Sequence, residues 1–65
     1  MNDNYTTFYT ENFSSHLFEC EGIISLNTGD RFADKNGSIY IIVYKLYNIA
    51  SSIMIYQGRL LASDK

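Results

Sequence analysis

Apolar and polar positions alternate in short stretches broken by glycine, the pattern of a small β protein. The clearest unit runs from Gly29 to Tyr44. Asn36-Gly37 sits between two strand-like runs, and both residues tolerate the positive φ that a tight hairpin needs. A two-residue turn pairs Phe32 with Ile41, and a three-residue loop with Gly37 left-handed pairs Phe32 with Tyr40. The second register is favoured, because it gathers Phe32, Tyr40, Ile42, Tyr44 and Leu46 on one face. Ile39, Ile41 and Val43 then fall on the other face with Lys45, so both faces of this strand are expected to be covered.

A second hairpin is expected to follow. Asn48 to Ser51 reads as its turn and Ser52 to Gln57 as its strand, with Ile53 and Ile55 on one face and Met54 and Tyr56 on the other. Gly58 should break that strand, leaving Arg59 to Ala62 as a last short one. Upstream, Leu17 to Leu26 alternates as a strand with Gly22 as a bulge, although Ser14-Ser15 also suits the cap of a short helix ending at Gly22. Tyr5 to Thr10 has strand composition, yet Tyr5, Phe8, Tyr9 and Phe13 fit helical spacing as well. Whether residues 5–21 are strand or helix stays open at this point. The expected fold is mainly β: a small antiparallel meander or SH3-like barrel of roughly five or six short strands, with room for one short helix within 5–21. Residues 1–65 form a single small domain, frayed at 1–4 and 63–65.

The central residues Gly29-Asp30, Phe32, Asp34, Gly37, Tyr40 and Ile42 resemble the opening hairpin of short, uncharacterised, phage-encoded SH3-like small-barrel proteins. The resemblance spans Gly29 to Ile42 and implies a small barrel and a viral or mobile-element origin. It carries over no functional residues. The long segment before Gly29 departs from such minimal barrels.

Composition sharpens the picture. Hydrophobic residues make up 46% and charged residues 18% of the chain, a globular balance. No apolar run reaches the length of a membrane span, and no signal peptide is recognisable, so a cytoplasmic location is expected, in a host cytoplasm if a phage encodes it. A single cysteine rules out an internal disulfide, and one Cys with one His falls short of a structural zinc site. Below roughly 70–80 residues an unstapled core rarely supplies more than about 3–5 kcal/mol. The six Tyr and four Phe must therefore pack unusually well or bury themselves against another chain, and a homodimer or a protein partner is expected.

Candidate chemistry is sparse. His16 and Cys20 share a face on a helix or on a regular strand, but two ligands beside Glu19 and Glu21 make no metal set, and nothing supplies the orienter or oxyanion hole of a Cys-His nucleophile. Asp30 and Asp34 flank the hairpin, where Asp ordinarily bonds its own backbone. No phosphate loop or nucleotide fingerprint is present. The expectation is a protein that is not an enzyme and takes no cofactor or metal.

Charge is uneven. Residues 1–30 carry −5 and residues 31–65 carry +3, giving the net −2. The leading reading is a non-catalytic protein–protein interaction module, in one concrete form a phage or mobile-element inhibitor of a host defence protein that acts by occlusion. Its contact residues would be the aromatics Tyr5, Phe8, Tyr9 and Phe13, rimmed by Glu11, Glu19 and Glu21. A nucleic-acid-binding small barrel using Arg31, Lys45 and Arg59 is an alternative, disfavoured by the net negative charge. A structural subunit of a larger oligomer is another. The partner, the source and the surface used are not legible.

Overall fold

The computed structural model describes residues 4–62. Within them lie β1 (Tyr5–Thr10), a 3-10 turn (Glu11–Phe13), β2 (His16–Glu21), β3 (Arg31–Ala33), β4 (Ile39–Asn48) and β5 (Ile53–Ala62). The chain is mainly β, as its alternation predicts, and the only helical element in residues 5–21 is the short 3-10 turn. Of the residues expected to fray, 1–4 and 63–65, all but Asn4 lie outside the described range. Asn4 is tied in, its carbonyl accepting the Gly22 N–H at 3.0 Å.

All five strands form one sheet in the order β2-β1-β5-β4-β3. It curls into a half-barrel whose edge strands, β2 and β3, meet only through side chains: the Phe18 and Phe32 rings lie 6.1 Å apart. One pairing departs from an antiparallel meander, because β1 and β5 are parallel. The reason is topological. Successive strands alternate in direction, so the first and fifth run the same way, and pairing them makes a parallel ladder. The parallel ladder covers Ile53 to Gly58, the part of β5 that precedes the break expected at Gly58. Instead of breaking, β5 runs through Gly58, where the missing side chain admits its neighbours. A Cβ there would lie 2.8 Å from two carbons of the Phe32 ring and 3.0 Å from the Tyr40 Cβ.

The β3–β4 hairpin adopts the three-residue register, pairing Phe32 with Tyr40. Gly37 sits at φ +90°, and the Asp34 carboxylate accepts the N–H groups of Asn36 (2.9 Å) and Ser38 (3.0 Å). Asp30 likewise accepts the Asn27 N–H at 2.8 Å. Both aspartates act as turn residues.

Of three register shifts in the sheet, one of them between Ile39 and Tyr40, two decide which face the candidate residues take. The β1–β2 register shifts after Phe8, pairing Phe8 with Phe18 but Tyr9 with His16, so the expected bulge falls at Leu17 rather than Gly22. The β4–β5 register shifts between Ile42 and Tyr44. Beyond it Tyr44 and Leu46 face away from Phe32, Tyr40 and Ile42, correcting the single face expected for all five. The strand expected to reach Leu26 ends at Glu21.

From Gly22 to Asp30 the chain crosses the inner face of the sheet from one edge to the other. Its polar backbone is met by side chains from below. Thr6 Oγ1 donates to Gly22 O (2.8 Å) and accepts the Ile24 N–H (2.9 Å). Tyr56 Oη donates to Ile24 O (2.6 Å) and accepts the Leu26 N–H (2.8 Å). Under this strap the core is aromatic. Phe8, 2% exposed, stacks on Phe18 at 4.6 Å and Tyr56 at 5.3 Å and tilts against Phe32 at 4.7 Å. Among the described residues no helix is long and apolar enough to cross a membrane.

Candidate interaction surface

The outer face of the sheet carries the residues the core does not use. Strand alternation sends Tyr5, Thr7 and Tyr9 outward and Thr6 and Phe8 inward. This removes Phe8 from the aromatic set Tyr5, Phe8, Tyr9 and Phe13: helical spacing grouped the four, and a strand separates them. Tyr5 pairs with Ile53, Thr7 with Ile55 and Tyr9 with Gln57, and β5 in turn sets Leu46 beside Ile55 and Tyr44 beside Gln57.

Phe13 joins this face from the β1–β2 connection. That connection is held tightly: Thr10 N–H donates to Ser15 O (2.8 Å), Ser15 N–H to Thr10 Oγ1 (2.7 Å), and Ser14 Oγ to Glu11 O (2.9 Å). The Asn12 N–H donates to the side-chain oxygen of buried Gln57 at 2.8 Å, which seats the turn on the sheet. Asn12 and Phe13 both have left-handed backbones, φ 61° and 57°. Asn tolerates that region; a bulky aromatic there is a strained outlier. The Phe13 ring meets Tyr9 edge-on at 5.1 Å and Tyr44 at 6.4 Å, while the residue remains 50% exposed.

The acidic residues expected to rim the patch are not equivalent. Glu19 and Glu21 lie on the outer face of β2, opposite Thr7 and Tyr5. His16, also on that face, contacts Thr7 Oγ1 at 3.0 Å and a Glu19 oxygen at 3.8 Å. Glu11 is already engaged: Arg59 donates to both its oxygens, Nε at 3.1 Å and Nη2 at 2.7 Å. That hydrogen bonding, opposed by desolvation and reinforced by the Arg59 charge, holds the Glu11 carboxyl below its usual value of 4.5. A lowered folded-state pKa adds stability above the unfolded value and loses it as pH falls through the folded one. Arg59→Gln is therefore expected to flatten the loss of stability below pH 4.5 without steepening it elsewhere, read as urea midpoints against pH. Both groups face solvent, so the difference should be small. Parallel profiles for the two proteins would contradict it.

The residues considered for nucleic acid do not converge. Arg31 and Arg59 flank Ile41 on the outer face, and Arg59 is neutralised by Glu11. Lys45 lies across from Tyr56 on the inner side, donating to Leu26 O at 3.0 Å and Asn27 Oδ1 at 3.3 Å. His16 and Cys20 are likewise parted by the bulge at Leu17: His16 is outside beside Tyr9, and Cys20 packs against the core. Among the described residues no group of three or more His, Cys, Asp or Glu is gathered as a metal site.

The chain matches no protein-family model, no curated protein and no solved structure. The surface must be read from its own chemistry. Tyr44, Leu46, Ile53 and Ile55 belong to the outer patch and were not singled out from sequence. Ile53 and Ile55 were legible as sharing a face, but nothing in Ile41-Ile42-Val43 marks the bulge that turns Tyr44 and Leu46 outward.

Proposed function

We propose that the protein is a non-catalytic protein-binding module that acts by occlusion, laying its outer face over a surface its partner needs. The contact patch is Tyr5, Tyr9, Phe13, Tyr44 and Leu46, with Glu19 and Glu21 as its acidic rim. The observation that carries this reading is Phe13, a large aromatic kept in a strained left-handed backbone with half its surface in solvent. Folding alone favours Gly or Asn at such a position. An exposed aromatic retained there suits an anchor for a partner's pocket. The narrower form of the proposal is an inhibitor of a host defence protein, encoded by a phage or other mobile element and working in the host cytoplasm. It draws its support from the resemblance carried by Gly29 to Ile42.

The test separates folding from binding at one residue. Phe13→Asn relieves backbone strain of about 1–2 kcal/mol and loses edge-on ring contacts worth about 0.5–1.5 kcal/mol each. The melting temperature should therefore stay within a few degrees of wild type. Binding should not survive. A protein captured from the producing cell by wild type and by Lys35→Gln should be lost with Phe13→Asn. Titration of that protein should show a weakening of roughly thirtyfold, the equivalent of about 2 kcal/mol for an anchor residue. If Phe13→Asn captures the same protein with the same affinity, the outer face is not the binding surface.

A further inference from the structure

Strand β4 is longer than its neighbour on one side. It spans Ile39–Asn48, while β3 pairs only with Ile39 to Ile41, extended by Asp30 and Gly29 bonding to the backbone of Ile42. From Tyr44 to Asn48 the strand is bonded to β5 alone, and its other edge has no strand beside it among the described residues. The direction of its backbone groups follows from the turn. Asn48 O accepts the Ser52 N–H at 2.8 Å, so Asn48 faces β5. Alternation then turns Leu46 and Tyr44 toward β5, and Tyr47 and Lys45 toward the open edge. The same segment holds a concentration of exposed apolar surface: Tyr44 is 42%, Leu46 44% and Tyr47 44% exposed. An open, apolar strand edge is a template for another strand.

We propose that the occupant is a second copy of this chain, paired antiparallel along β4 about a two-fold axis at Leu46. The inference rests on the sheet alone and is independent of the binding function proposed above. Self-complementarity selects both the occupant and the register. With Leu46 opposite Leu46 of the second copy, Lys45 lies opposite Tyr47, and the outward-facing backbone groups of these two residues exchange hydrogen bonds at both ends of the axis. The Lys45 side chain, its ammonium donating to Leu26 O and Asn27 Oδ1, then lies beside a tyrosine ring rather than a like charge. Centring the axis on Lys45 would set two lysines face to face, which is unfavourable. The Leu46-centred register joins two half-barrels into one continuous sheet and brings the two outer patches side by side through Tyr44 and Leu46.

Light scattering on the wild-type chain should give twice the 7.5 kDa chain mass, with a melting temperature that rises with concentration. Leu46→Lys and Leu46→Glu should each be monomeric, because each sets like charges across the axis, and an equimolar mixture should recover the dimer as a heterodimer. Hydrogen exchange on wild type gives a readout that needs no variant. The Lys45 and Tyr47 amides should be protected at high concentration and exchange at least tenfold faster on dilution, while the Leu46 amide, bonded within the chain, should not change. A monomer at all concentrations overturns the proposal. So does a dimer that survives both charged variants, or one whose Lys45 and Tyr47 amides exchange at the same rate throughout.

Discussion

Phe8→Ala is expected to leave the chain largely unfolded in plain buffer at room temperature. Phe8 is the ring on which the half-barrel closes: Phe18 from one edge strand, Phe32 from the other and Tyr56 from the central strand all pack on it. Its removal takes away the stack and leaves a cavity that these rings cannot fill without separating from one another. Such a truncation costs about 3–5 kcal/mol, as much as the whole stability of about 3–5 kcal/mol expected of an unstapled core of this size. The fully buried side chains are few, with Tyr56, Ile42 and Thr6 the largest, so little else can compensate. Far-ultraviolet circular dichroism with a urea titration reads the outcome. Phe8→Leu, which keeps most of the volume, should retain a cooperative transition at a lower midpoint. A Phe8→Ala protein that unfolds cooperatively near the wild-type midpoint would mean that the inner face is not the stabilising core.

Tyr56→Phe should have the next-largest effect, for the loss of a single oxygen. The Tyr56 hydroxyl donates to Ile24 O and accepts the Leu26 N–H, so it fastens the crossing segment by two backbone groups at once. Phenylalanine keeps the ring and the stacking on Phe8 but leaves the Leu26 N–H and the Ile24 carbonyl without that partner. Both bonds are only partly buried, and stranding such polar groups costs up to about 1–3 kcal/mol. At about 4–8 °C per kcal/mol for a domain of this size, the melting temperature should fall by roughly 5–20 °C. The loss should be local in origin, with the Leu26 amide gaining the most in hydrogen-exchange rate. Thr6→Val, which unties the same segment nearer Gly22, should add to the effect less than independently, because both side chains hold one strap. A melting point within about a degree of wild type would show that the strap is held by its apolar contacts alone.

Much of the local structure was legible because it follows from short-range rules. The Asn36-Gly37 signal fixed a hairpin, and the choice of a left-handed Gly37 with Phe32 opposite Tyr40 follows from which residues must share the buried face. Tyr5 to Thr10 formed a strand, as its Thr and aromatic content favours. Of the candidate site, Tyr5, Tyr9, Phe13, Glu19 and Glu21 fall on one outer surface. Phe8 does not, because helical and extended spacing group the same letters differently, and the choice between them was made by β2 and β5 flanking the segment.

The sequence by itself determined the class of the fold and the position of its central hairpin, since each depends on residue type and near-neighbour spacing. Tertiary structure decided the rest. Gly58 reads locally as a break, yet continues a strand because Phe32 and Tyr40 close over its bare backbone. The part of that strand up to Gly58 closes the sheet by pairing in parallel with β1, a partner far away in sequence. The bulge between Ile42 and Tyr44 carries no signature in its own residues. It exists because Ile42 must face the core while, farther along the same strand, Tyr44 and Leu46 align with Gln57 and Ile55 on the outside. Which aromatics became core and which became surface was therefore settled by strand neighbours distant in sequence, because a one-residue shift in register exchanges the two faces of a sheet.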